Sequence, residues 1–192
     1  EQKRLLRPGM TIVEGTAGNT GIGLAVVAKS RGYNLKVVMP KGQTIEKQKM
    51  IELHGAELVL VEPVPFSNPD HFYHAARRMA QEDAQAWWAN QFENTANADA
   101  HYLHTGPEIY TQTERRIDIF VSVAGTGGTI GGVSKYLKEQ NSNIKVISVD
   151  PDGFGIFNFL QTGEYVASEG SSFTEGIGIM RLVENFRQAN ID

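Results

Sequence analysis

One arrangement occurs twice in this 192-residue chain and restricts its fold more than any other: an apolar strand runs into a glycine-rich loop and then into a helix. In the first copy, 10–14 reads as the strand (Met10, Thr11, Ile12, Val13, Glu14), Gly15–Gly21 as the loop and Ile22–Ser30 as the helix, ending at Gly32. In the second, Asp118–Val123, Gly125–Gly128 and Ile130–Glu139 take the same parts. Further apolar runs at Leu35–Met39 (closed by Pro40), Glu57–Val61, Trp87–Trp88 and Ile144–Val149 alternate with helical patterns at Thr44–His54, stopped by Gly55, and Asp70–Asp83. Short apolar strands alternating with helices predict βαβ units, hence an α/β fold with parallel-rich sheets. Val121 and Val123 are separated only by Ser122, and such continuous apolar runs predict strands covered by helices on both faces. A polar turn at Gln91–Asn97 divides the copies, giving two α/β lobes at 1–95 and 96–192.

Composition narrows the chemistry. The hydrophobic fraction of 41% supports a packed core, and a net charge of -4 lacks the basic excess that a nucleic-acid surface needs. There is no cysteine, so disulfides, thiolate metal sites and a thiol nucleophile are excluded. No apolar run is long enough to span a bilayer. His71 and His74, and likewise His101 and His104, are spaced to share a helix face, but neither pair sits in a metal-binding motif, so no metal is expected. Trp87 and Trp88 are read as packing residues, and Arg77–Arg78 and Arg115–Arg116 as solvated faces.

The second loop, Ala124-Gly125-Thr126-Gly127-Gly128-Thr129, opens a helix whose first turn carries unpaired N–H groups and a partial positive charge. Glycines admit an anion close to that backbone, and the threonines add hydroxyl donors, which suits a phosphate. The loop lacks the lysine of a Walker motif, and Ile130 stands where the dinucleotide fingerprint has its third glycine. A tight strand-to-helix turn with no ligand would have the same sequence. The first loop, Gly15-Thr16-Ala17-Gly18-Asn19-Thr20-Gly21, could form an N–H nest for a carboxylate, with Asn19 able to donate and accept. Asn19 could equally be a simple helix N-cap. Ligands of α/β sheets bind at the carboxyl ends of the strands, so a phosphate loop and a carboxylate loop together suggest a cofactor and an amino-acid substrate held between two lobes.

These residues resemble a known family. Val13-Glu14-Gly15-Thr16-Ala17-Gly18-Asn19-Thr20-Gly21-Ile22-Gly23-Leu24-Ala25 is similar to the asparagine loop of cysteine synthase and cystathionine β-synthase, which are pyridoxal-phosphate enzymes of the tryptophan-synthase-β fold type, fold type II. Val38-Met39-Pro40 with Glu46-Lys47, Asn90-Gln91-Phe92-Glu93-Asn94, His104-Thr105-Gly106-Pro107-Glu108-Ile109, Gly125-Thr126-Gly127-Gly128-Thr129 and Glu175-Gly176-Ile177-Gly178 follow in the family's order. The likeness runs along essentially the whole chain.

The resemblance implies pyridoxal 5'-phosphate as cofactor, its phosphate on Gly125, Thr126, Gly127, Gly128 and Thr129, and its ring oxygen bonded by Asn19. It implies that Thr16, Ala17, Gly18, Thr20 and Gln91 bind the substrate carboxylate and that Gly176 lines the crevice. The implied reaction is β-replacement on an activated serine, O-acetylserine plus sulfide giving cysteine plus acetate. Cystathionine formation, dehydratase-type elimination and a non-catalytic cofactor- or partner-binding module are the alternatives. A cytoplasmic homodimer acting on an amino acid and sulfide or a thiol, without nucleic acid or membrane, is the implied setting. Three departures stand out. Ala17 replaces the usual serine, and Asp150 precedes Pro151 where the family more often has glutamate. The lysine that forms the imine with the cofactor has no matching segment between Glu1 and Glu14, so it is expected upstream of Glu1, with this chain as the middle of a longer enzyme.

Overall fold

Parallel pairing organises the strands in the computed structural model, which describes residues 5–192. The chain divides into two compact units, Glu1–Asn90 and Gln91–Asp192. In the first, β1 (Thr11–Gly15), β2 (Asn34–Pro40), β3 (Glu57–Val61) and β4 (Ala86–Trp88) form a four-stranded sheet in the order β3-β2-β1-β4. All three pairings are parallel, with Ile12 opposite Leu35 and Trp87. Helices connect successive strands: α1 (Asn19–Arg31) and α2 (Ile45–Leu53) join paired neighbours, and α3 (Phe72–Glu82) carries the chain from β3 to β4 at the opposite edge.

Both faces of this sheet are covered, as continuous apolar strands require. On one face Ile12, Leu35, Val37 and Met39 pack with Ala25, Ala28 and Ile51. On the other, Val13 and Val38 meet Ala75 and Ala76. The apolar stripe Phe72, Ala75, Ala76, Met79 and Ala80 has the helical spacing that seats α3 there. The two-residue period of β4 splits the tryptophans, Trp87 going to the first face and Trp88 to the second. α1 stops at Gly32, whose left-handed φ of 72° lets its N–H return to the carbonyls of Ala28 and Lys29.

The second unit is built differently. After α4 (Ala96–Ala100), a π-helical turn (His101–Thr105) and α5 (Gly106–Gln112), β5 (Ile119–Val123) pairs in parallel with β6 (Lys145–Val149) through α6 (Gly128–Gln140). Two short helices follow, α7 (Ile156–Thr162) and α8 (Glu184–Arg187). α6 buries Ile130, Val133 and Leu137 against Val146, Ile144 and Phe120. The expectation of two covered faces fails for this sheet. Ile119, Val121, Val123, Ile147 and Val149 are 41–57% exposed, and among the described residues α6 packs on the opposite face. Among the described residues no helix is long and apolar enough to cross a membrane.

His71 illustrates how local chemistry fixes an element. It is the N-cap of α3, is 5% exposed, and its Nδ1 accepts from the N–H of Tyr73 at 3.3 Å. Phe66 and Phe72 pack on its ring, and the exposed Arg78 bonds Asp70 beside it. Burial, and secondarily the charge of His74, pushes the His71 imidazole below its ordinary 6.5. Below pH 6.5 the unfolded chain therefore binds a proton that the folded chain resists, so stability falls on acidification through the folded value. His71→Asn keeps an N-cap oxygen but cannot titrate. Urea unfolding followed by Trp87 and Trp88 fluorescence should show a shallower loss of stability between pH 7.5 and 5 in this variant than in the parent; equal slopes would contradict the assignment.

Candidate active site

The loop at 125–129 joins β5 to the N-terminus of α6. The first helical bond donates the N–H of Gly131 to the carbonyl of Gly127 at 2.8 Å, so the amides just before it receive no acceptor from the helix. Gly127 adopts φ 82°, a left-handed turn that redirects the chain from strand to helix. The glycines have a second reason that the sequence did not disclose. A Cβ on Gly127 would stand 2.5 Å from the backbone N of Phe186, one on Gly125 would stand 2.2 Å from the carbonyl O of Gly176, and one on Gly128 would stand 2.0 Å from Oδ1 of Asn97. The space that glycine leaves is filled by the protein itself, so these residues shape the loop before any anion arrives.

The loop's hydroxyls are held from behind. Asn97 donates from Nδ2 to the backbone carbonyl of Gln91 and to Oγ1 of Thr126, both at 2.9 Å. The carbonyl of Gln91 is an obligate acceptor, which fixes the amide of Asn97 as the donor and Oγ1 of Thr126 as the acceptor. The Thr126 hydroxyl keeps its own proton for another partner. Oγ1 of Thr129 lies 3.2 Å from Nε2 of His101. The fully buried Asn185 donates to the carbonyls of Gln91, Phe92 and Asn94, and its Oδ1 accepts from the N–H of Ala98. Glu93 pairs with Arg181 and accepts from the N–H of Glu184. The turn carrying Gln91, the loop at 125–129 and the segment around Gly176 are thereby one assembly within the second unit. Gly176 itself has φ 79° and open space where a side chain would begin. Sequence reading missed Asn97, Asn185 and the contact of His101, since asparagines and histidines carry no pattern that announces a long-range partner.

The first-unit loop is braced locally. Gly18 adopts φ 147° and is the N-cap of α1; its N–H donates to Oγ1 of the buried Thr16 at 3.0 Å, and the N–H of Thr16 donates to the carbonyl of Val38 at 3.0 Å. The stem of Lys47 lies where a Gly18 side chain would begin. Helix α1 starts at Asn19, three residues earlier than the sequence pattern indicates, and the cap is Gly18, not Asn19. Asn19 and Ala17 are exposed and Thr20 is half-buried. The Asn19 side chain is thus not spent on capping.

Among the described residues no group of three or more His, Cys, Asp or Glu side chains could hold a metal ion. His71 and His74 pack around Phe66. His101 bonds threonines, and His104 is exposed.

Comparison with known proteins follows the same residues. The family profile described as "Pyridoxal-phosphate dependent enzyme" matches residues 1–190. Cysteine synthase 1 of Neurospora crassa is 46% identical over 190 residues, covering 98% of this chain and 50% of the relative. Cysteine synthase 1 of Emericella nidulans is 47% identical over 189 residues, covering 97% of this chain and 51% of the relative. The chain spans about half the length of these curated relatives. Among solved structures, an O-ureido-L-serine synthase superposes with a TM-score of 0.78 at 34% identity, covering 93% of this chain and 54% of that one.

A pair of substitutions separates packing from strain. Gly127→Ala adds both left-handed strain and a clash with rigid backbone, and should destabilise by about 2–5 kcal/mol. Gly176→Ala adds only the strain, about 1–2 kcal/mol. Thermal melts without any ligand should rank them in that order; an unperturbed Gly127→Ala melt would contradict the packing described.

Proposed function

The chain belongs to the pyridoxal-phosphate-dependent enzyme family, in its cysteine synthase and cystathionine β-synthase branch, and from that membership we propose that it carries the cofactor-phosphate and substrate-carboxylate sites of a β-replacement enzyme making cysteine from O-acetylserine and sulfide. The observation that carries the proposal is the loop at 125–129, with its unpaired first-turn amides and a Thr126 hydroxyl left with its proton to give. The family's cofactor is pyridoxal 5'-phosphate, and this donor set suits its phosphate. When bound, the cofactor supplies an electron sink for bonds at the amino acid's α-carbon.

This chain's residues would divide the remaining work. Gly125, Gly127 and Gly128 hold the backbone in the shape that points its amides outward, and Thr126 and Thr129 donate hydroxyl protons to a dianion. Asn97 and His101, the side chains bonded to those hydroxyls among the described residues, carry no formal charge when the imidazole is neutral, so the phosphate would be held by neutral donors and a helix dipole. In the first unit, Asn19 would donate to the cofactor's ring oxygen. Ala17 and Thr20 would offer N–H and hydroxyl donors to the substrate carboxylate, with Thr16 and Gly18 keeping the loop's form. In the second unit Gln91, its backbone clamped by Asn97 and Asn185, would offer its side-chain amide to substrate, as the family resemblance implies. Gly176 would leave room for substrate.

The leading reading commits to sulfide as nucleophile. Product analysis of the full-length protein, including the segment expected to carry the imine-forming lysine, supplied with pyridoxal phosphate tests it: O-acetylserine and sulfide should give cysteine. Cystathionine from serine and homocysteine, O-ureidoserine, or no product at all would each displace that reading. Two variants test the site. Thr126→Val should weaken cofactor binding roughly 10- to 100-fold, the range for a hydrogen bond to a charged group. Asn19→Ala should spare affinity for inorganic phosphate and shift the visible absorption of the bound cofactor. Tight binding by Thr126→Val, or an unaltered spectrum in Asn19→Ala, would remove the corresponding residue from the site.

A further inference from the structure

His101 stands behind the loop hydroxyl that Asn97 does not reach. Its Nε2 is 3.2 Å from Oγ1 of Thr129, and its Nδ1 is 2.9 Å from Oγ1 of Thr105. The π-helical turn His101–Thr105 carries both His101 and Thr105, and it packs closely on α6 because Gly132 has no side chain. A Cβ on Gly132 would fall 2.1 Å from the carbonyl O of Ala98 and 2.8 Å from Cβ of His101. The imidazole is therefore held between two hydroxyls, one on its own turn and one in the loop.

A neutral imidazole has one donor and one acceptor, so the two contacts cannot both run the same way. If Nε2 accepts the proton of Thr129, Nδ1–H must donate to Thr105. The proton of the half-buried Thr105 hydroxyl then has no acceptor among the described side chains and carbonyls bonded to it, and Thr129 turns bare lone pairs outward. If Thr105 donates to Nδ1, Nε2–H donates to Oγ1 of Thr129, and the proton of the exposed Thr129 is left facing outward, where solvent or a ligand can accept it. The second arrangement satisfies every group; the first leaves the less exposed hydroxyl unmatched. Burial depresses the His101 imidazole below its ordinary 6.5, which keeps it neutral at pH 7.5 and makes the choice of tautomer meaningful.

We infer that His101 is a positioning residue for an anion at the loop: locked as its Nε2–H tautomer by Thr105, it feeds a hydrogen bond into Thr129 and so commits that hydroxyl to donate to a phosphate group. Asn97 does the same for Thr126. The inference rests on the proposed assignment of 125–129 to a phosphate, and the test separates the two.

Long-range proton–nitrogen correlation spectra of the labelled chain at pH 7.5, without and with inorganic phosphate, read the imidazole tautomer directly. Shifts of the amides of residues 126–129 read loop occupancy in the same sample. The expected result is an Nε2–H pattern for His101 together with phosphate-dependent shifts of those amides. Shifted amides with an Nδ1–H imidazole would overturn the role of His101 and leave the loop assignment standing. Unshifted amides would overturn both. In parallel, His101→Leu should lose roughly tenfold in affinity for pyridoxal phosphate and for inorganic phosphate, the size of one charge-assisted hydrogen bond. His101→Gln, whose Nε2 can donate as the imidazole does, should recover most of that loss at an unchanged melting temperature. Parent-like affinity in His101→Leu, or failure of His101→Gln to recover it while folding normally, would refute the positioning role.

Discussion

The left-handed turn at Gly127, with the backbone of Phe186 pressed against the place of its missing side chain, is the constraint on which the second unit's site depends. It sets the angle at which β5 hands over to α6, and so where the first-turn amides point. Neighbouring segments close around it. The carbonyl of Gly176 abuts Gly125, Asn97 abuts Gly128, and Asn185 ties the turn at 91–94 to Ala98 at the start of the helical segment. A loop enclosed this way loses little freedom when it takes up a ligand, because its ordering cost is met in folding.

In the proposed phosphate site an anion would be served without a cation. Each threonine hydroxyl of the loop has a single proton and must choose a direction for it. Donors placed behind the loop make that choice. Asn97 is fixed as a donor by the carbonyl of Gln91, and it holds Thr126 as an acceptor on the inner side. His101 stands in the equivalent place behind Thr129, with a tautomer to be chosen where Asn97 has none. With unpaired amides, a helix dipole and outward hydroxyls, the charge of the proposed phosphate would be met by polarity distributed over several groups.

Much of the architecture was legible in the sequence. The strands of the first unit follow from apolar runs, the end of β2 from Pro40, the ends of α1 and α2 from Gly32 and Gly55, and the parallel class from the alternation of strands and helices. The motif loops were legible because glycine and threonine at a strand-to-helix junction are a local signal. The segment Ala96–Gln112 was not: it mixes alanine, asparagine, glycine and proline without an apolar stripe, and its helices are held by packing on α6. Asn97, His101 and Asn185 were illegible for a related reason, since their partners lie 29, 28 and as many as 94 positions away. The pattern of β5 and β6 also misled. Val121 and Val123 read as doubly covered, yet they face outward, because a run of apolar residues records hydrophobicity and not which element supplies the cover.

The two strand–loop–helix copies look alike in sequence and reach their shape by different physics. In the first, the brace is Thr16 Oγ1 to the N–H of Gly18, two residues apart, and the stem of Lys47. Its form is also set by its unit: the N–H of Thr16 bonds the carbonyl of Val38, and a Cβ on Gly15 would stand 2.8 Å from the carbonyl O of Phe72. In the second, the brace comes from the turn at 91–97, from Gly176 and from Asn185–Phe186, so its form is a property of the whole unit. A change far from the second loop therefore reaches its amides through rigid backbone contacts, and the first loop is coupled to β2, α2 and α3 of its own unit. A phosphate anchor gains from being immovable, and a carboxylate-binding loop gains from a backbone whose shape is fixed before the ligand arrives.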